Sequence, residues 1–163
     1  MSTSVLSAIR QLLEHHGKPF KELHHPPTKT SEDSARVRGE PLAIGGKTLL
    51  MKVDQDFALF VISAAERIDS AALRRALGVR KLRFATADEL HASTGLLSGD
   101  VPPFGDPILP FPLHADDSVF ENERIAFNAG SLTDSIIMTV ADWEGVAHPR
   151  RLRFSARDNK GRT

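Results

Sequence analysis

The chain predicts a single α+β domain with a mixed sheet. Three observations carry this expectation. The length of 163 residues suits one domain with a real core. Two strand-length apolar runs, 47–53 and 57–62, are separated by three residues and read as a hairpin. Capped helical segments alternate with further strand candidates, but without the strict strand–helix repeat of a doubly wound sheet.

Each element has its own local signal. Val5, Ile9, Leu12 and Leu13 lie on one helical stripe that ends near Gly17. Residues 20–25 alternate weakly, as a strand does, and His24-His25-Pro26-Pro27 ends it. Thr30 caps a short helix with Glu32 and Asp33 in its first turn and Gly39 as its stop. The hairpin opens on Gly45-Gly46-Lys47-Thr48. Asp69 caps the next helix, with Ile68 stapled to Leu73 and Gly78 as terminator. Lys81–Ala85 is a short strand. Thr86-Ala87-Asp88-Glu89 is a capping box for a helix that stops at Gly95. Residues 108–113, 124–128 and 134–140 are strand candidates, Asn128-Ala129-Gly130-Ser131 is a tight connection, and a last short helix starts around Thr139–Trp143.

Between Gly95 and Pro107, three glycines and three prolines exclude a helix or a central strand. Such a loop is either a rigid crossover or a site built from backbone groups.

Composition excludes several function classes. Lys plus Arg equal Asp plus Glu at 21 each, so no global field demands nucleic acid, and any RNA contact must be local. Hydrophobic residues at 40% and charged residues at 26% are ordinary for a soluble globular protein. The absence of cysteine removes disulfides, thiolate catalysis and cysteine metal sites, and fits a cytoplasmic location. No stretch is long and apolar enough to span a bilayer, and the first residues lack a signal-peptide pattern. Adjacent His24 and His25 would face opposite sides of a strand, so neither a metal nor a cofactor is expected.

Lys47, just after a glycine pair at the mouth of a strand, can aim a cation into a cleft. A nucleotide-binding P-loop needs a glycine five positions before Gly46, where Pro41 stands, and it needs a helix after the lysine. From residue 148 the chain is basic: Arg150, Arg151, Arg153, Arg157, Lys160 and Arg162 against Asp158. Leu152 and Phe154 suggest that its first part docks as a strand. The remainder is either a frayed end or a contact for phosphates.

The order Thr30-Ser31-Glu32-Asp33, Lys47-Thr48-Leu49, hairpin, Ala76-Leu77-Gly78, Phe84–Leu90 and Gly99-Asp100-Val101-Pro102-Pro103-Phe104-Gly105 resembles the YbaK family. That family is related to the editing insertion domain of bacterial prolyl-tRNA synthetases. The resemblance covers roughly residues 20–145. It implies a mostly antiparallel, barrel-like sheet flanked by helices, and a free-standing deacylase that hydrolyses the ester of a mischarged tRNA without a cofactor. It implies that Lys47 holds the terminal nucleotide and that the loop carrying Gly99 and Pro103 is catalytic through backbone donors. Thr30, Thr48, Val101, Pro102 and Phe104 become substrate-binding candidates. The synthetase domain has a functional histidine late in the fold, and this chain has Asn128, Gly130 and Ser131 there instead. These three are pocket candidates, with a simple turn as the alternative. The partners implied are the 3′ end of a mischarged tRNA and an aminoacyl-tRNA synthetase, with no DNA and no membrane. A non-catalytic module that binds a tRNA end is the alternative function.

Overall fold

In the computed structural model, residues 4–156 are described. Arg157, Lys160 and Arg162 of the basic tail, with their expected phosphate contact, lie outside the described residues. The chain forms α1 (Val5–His15), β1 (Lys21–His24), α2 (Ser31–Arg38), β2 (Gly46–Val53), β3 (Asp56–Ser63), α3 (Ser70–Leu77), β4 (Leu82–Phe84), α4 (Ala87–Thr94), β5 (Leu113–Asp116), β6 (Arg124–Asn128), β7 (Asp134–Thr139), α5 (Val140–Ala147) and β8 (Arg150–Leu152).

Local chemistry sets most of the boundaries. Thr30, Asp69 and Thr86 accept hydrogen bonds from Asp33 N, Ala72 N and Glu89 N, and Glu89 returns the bond to complete the capping box. Gly39, Gly78 and Gly95 end their helices in the left-handed conformation. Thr139 caps α5 through Asp142 N, so β7 ends and α5 begins on the same residue.

The strands form two sheets rather than the expected barrel. One has the order β1-β7-β6 and the other β4-β2-β3-β5-β8. Four of the six described strand pairings are antiparallel; β3–β5 and β5–β8 are parallel. Among the described residues the sheets meet at a single bridge, Gly45 to Ala126, which is too little pairing to close a barrel. Gly46 stands there because the sheets approach closely: a Cβ on it would lie 2.6 Å from Ile125 Cδ1.

β3 sorts its side chains by period two. Leu59 and Val61 enter the main core between the sheets, while Ala58, Phe60 and Ile62 join a smaller core beneath α3 with Met51, Leu73 and Phe154. Both faces are covered, which is why β3 reads as a continuous apolar run.

The strand expected at 108–113 is shifted to Leu113–Asp116. Pro107, Pro110 and Pro112 lack the N–H groups a ladder needs, and the preceding segment is an irregular connection. The strand itself hides two polar side chains. His114 stacks on Phe60 at 4.7 Å. Asp116, fully buried, accepts from Ser118 N, Phe154 N and Ser155 N at 2.9, 2.6 and 2.9 Å, and so ties the chain just beyond β8 to the sheet.

Candidate active site

A cavity of about 390 Å³ opens where β2 begins, walled by the segment leading into α2, by Gly45–Leu49, by Ser98, Gly99 and Val101, and by Asn128 and Leu132. Its position is set by the edge of β2. β6 meets that edge at Gly45, and β4 takes it again only from Met51 onward. Leu50 O accepts from Ala85 N on that edge. Main-chain groups alternate sides along a strand, so those of Thr48, two residues back, face the same edge where no described strand pairs. The Thr48 hydroxyl is buried and has no hydrogen-bond partner among the described residues. A buried polar atom without a partner is uncommon, and Thr48 is one of the residues that line the cavity.

The electrostatics are one-sided. Lys29, Arg38 and Lys47 line the cavity, and among the described residues no Asp, Glu or His does. Lys47 is half-buried and its ammonium makes no ion pair or hydrogen bond among the described residues. Thr30 lines the cavity too, although its hydroxyl is engaged as the α2 cap.

The loop after α4 is pinned from behind. Trp143 Nε1 donates to Pro103 O at 2.8 Å, Phe104 packs edge-on against Phe127, and Gly130 N donates to Asp100 O at 3.0 Å. From the cavity side, Asn128 Nδ2 donates to Gly99 O at 2.9 Å. Gly99 has φ +93°, a conformation that only glycine adopts without strain. The N–H groups of Gly99 and Val101 have no acceptor among the described residues. Asp100 does not line the cavity; its carboxyl accepts from Leu97 N, and burial raises its pKa.

Arg38 completes the arrangement. It donates from Nε to Ser135 Oγ and from Nη2 to Asn128 Oδ1, both at 2.9 Å. Burial lowers its pKa to about 10, so it keeps its charge at neutral pH. Arginine only donates and a carbonyl only accepts, so Asn128 must turn its oxygen to Arg38 and its NH2 to Gly99. His25 Nε2 lies 2.7 Å from Ser135 Oγ, and its Nδ1 lies 3.0 Å from Pro26 O.

Six of the residues expected to act in the site therefore come together around the cavity: Thr30, Lys47, Thr48, Gly99, Val101 and Asn128. Pro102, Pro103, Phe104, Gly130 and Ser131 are not among its lining residues. Pro103 and Phe104 anchor the loop to the core. Gly130 packs against α1, where a Cβ would meet Val5 Cβ at 2.7 Å. Ser131 donates to Asp134 Oδ2 at 2.7 Å. Arg38 gives no signal in the sequence because it sits in a short helix of mostly charged and polar residues, and nothing in that helix's pattern marks it. Lys29 is the more accessible omission, since it stands beside the Thr30 cap.

Comparison with known proteins identifies the family. Residues 25–146 match the aminoacyl-tRNA editing domain family. The multifunctional Ser/Thr-tRNA deacylase ProXp-y of Escherichia coli K12 is 32% identical over 149 residues, covering 88% of each chain. The proline–tRNA ligase of Sulfurihydrogenibium sp. is 33% identical over 113 residues, which cover 69% of this chain but 19% of the ligase. A crystal structure of a candidate trans-editing enzyme for prolyl tRNA synthetase superposes with a TM-score of 0.82 over 96% of this chain and all of that one, at 22% identity. The chain belongs to the aminoacyl-tRNA editing domain family.

Proposed function

We propose that this protein is a free-standing aminoacyl-tRNA deacylase that hydrolyses the ester between a mischarged amino acid and the 3′ end of a tRNA. The observation that carries this reading is a cavity lined by three cations and no carboxylate, with unpaired backbone donors on one wall, among the described residues. Such a site attracts a phosphate-bearing end and stabilises an oxyanion, but offers no carboxylate or imidazole as nucleophile or base. The match over 88% of the E. coli deacylase supports the deacylase reading, and that relative's name makes serine or threonine the amino acid to test first.

In this mechanism Lys47 and Lys29 hold the terminal nucleotide by its phosphate or ribose hydroxyls, which fixes the ester over the loop. Water adds to the ester carbonyl. The negative charge on that oxygen is met by the N–H groups of Gly99 and Val101. The tetrahedral intermediate collapses, the C–O bond to the ribose breaks, the ribose oxygen takes a proton, and the free amino acid leaves. With no protein base beside the ester, the neighbouring ribose hydroxyl orients the water. Thr48 contributes to the same cavity wall. Asn128 positions the loop through its bonds with Arg38 and Gly99. A synthetase partner belongs to this reading only through the related ligases.

The test is deacylation of a panel of mischarged tRNAs by purified protein. Turnover of Ser-tRNA or Thr-tRNA supports the reading. Binding of those tRNAs without turnover would assign the chain to a non-catalytic module.

A further inference from the structure

The cations on this neutral protein are unevenly spent. Arg10, Lys18, Arg36, Arg83, Arg124 and Arg151 each pair with a carboxylate. Residues 67–81 differ: Arg67, Arg74, Arg75, Arg80 and Lys81 stand against one acid, Asp69. All five cations are exposed, and their side chains make no ion pair or hydrogen bond among the described residues. Asp69 is occupied as the cap of α3. Leu73 and Leu77 turn inward to the small core, so the outward side of α3 is left to arginine.

This face is joined to the cavity. Ala64 lines the cavity and bonds to Gly45 O, and Arg67 stands three residues later. Ile68 bridges to Ser155, which brings exposed Arg153 beside the start of α3. At the other end, Lys81 and Asp54 exchange hydrogen bonds, so Arg80 and Lys81 sit at the turn of the β2–β3 hairpin. From Lys47 to Val53 the hairpin runs six residues, about 20 Å at ~3.3 Å each. The cations thus form a track of that order of length leading away from the cavity wall.

We propose that this α3 face binds the double-helical stem of the tRNA whose 3′ end enters the cavity. The proposal rests on the deacylase reading for its ligand. Its physical basis is that a duplex presents closely spaced phosphates along each strand, so a track of unpaired cations about 20 Å long spans several of them. Exposed arginines held to no carboxylate can give up their counterions to phosphate and lose little within the protein. The contacts position the substrate and take no part in the chemistry.

The test is the triple variant Arg74→Gln/Arg75→Gln/Arg80→Gln, assayed by single-turnover hydrolysis of Ser-tRNA at several salt concentrations. The same seryl ester on a CCA trinucleotide, which has no stem, serves as the second substrate. The variant should lose about tenfold or more in kcat/KM on tRNA, through KM. Its slope of log kcat/KM against log salt should flatten by about two to three, since each lost contact removes a little under one. Hydrolysis of the trinucleotide ester should be unchanged. Equal salt slopes for variant and wild type would overturn the proposal. Affinity for uncharged tRNA, measured by fluorescence titration, needs no hydrolysis and decides the matter even if the wild type proves inactive: unchanged affinity in the variant refutes the surface. Loss of binding to phosphatidylserine vesicles with tRNA affinity intact would assign the face to a membrane and equally refute it.

Discussion

Asn128→Asp separates positioning from recognition at the candidate site. The substitution keeps size and shape and keeps an oxygen for Arg38, whose Nη2 donates at 2.9 Å. It removes the side-chain donor to Gly99 O and sets two acceptors against each other where a 2.9 Å hydrogen bond stood. Leaving an acceptor unsatisfied costs about 1–3 kcal/mol. If that bond holds the loop in register, the cost emerges as roughly a 10- to 100-fold fall in the hydrolytic rate, at about 1.4 kcal/mol per factor of ten. Folding should change little, because the new carboxylate forms a charge-assisted pair with a buried guanidinium. Asn128→Ala is the companion, since it removes the donor without adding a charge that repels RNA. Single-turnover deacylation with saturating enzyme gives the rate, and thermal melting gives the stability. Both variants hydrolysing at the wild-type rate would refute the positioning role.

Gly99→Ala should lower the hydrolytic rate more than Asp100→Asn in the same assay, because φ is +93° and the new Cβ would lie 3.2 Å from Leu132 Cδ2, a strain of about 1–3 kcal/mol. Asp100→Asn should be neutral or stabilising at pH 7. Burial raises the Asp100 pKa, so its effect on stability is most favourable below the ordinary 3.8 and is lost as pH rises through the folded value. Asp116→Ala strands three buried N–H donors and should cost about 3 kcal/mol by denaturant unfolding, with activity falling only as the folded fraction falls. The Glu22 carboxyl lies below its ordinary 4.5 through its hydrogen bonds to Arg10, so its stabilisation is present above that pH and lost as pH falls through the folded value; Glu22→Gln should flatten the acid limb of a stability–pH profile.

What could be read from the sequence was what local chemistry decides. The caps at Thr30, Asp69 and Thr86, the left-handed stops at Gly39, Gly78 and Gly95, and the hairpin carrying Lys47 depend on residues within a few positions of one another. The Lys47–Thr48 mouth and the irregular loop were legible for the same reason. Closure of the sheet was not, because it depends on one distant bridge at Gly45. β5 was placed too early because Leu-His-Ala-Asp is only four residues long and follows an apolar run; its polar side chains are buried on partners, Phe60 and the N–H groups of Phe154 and Ser155, that only the fold supplies. Arg38 and Asn128 are 90 positions apart, and the bond from Asn128 to Gly99 spans 29. Neither end carries a local sign of the other. Pro103 and Phe104 belong to a recognisable motif, yet what they contact is Trp143 and Phe127, which the motif does not contain.

The role proposed for Lys47, at the unpaired edge of β2, is to hold the substrate of an ester hydrolysis performed without a side-chain base. It is tested most directly by single-turnover deacylation of Ser-tRNA and Thr-tRNA with wild-type and Lys47→Ala protein, each also monitored by thermal melting. The expected result is hydrolysis by the wild type, a loss of about 10- to 100-fold or more in kcat/KM for the variant from one charge-assisted contact, and an unchanged Tm. Wild-type turnover by Lys47→Ala, or no hydrolysis of either substrate by the wild type, would contradict it.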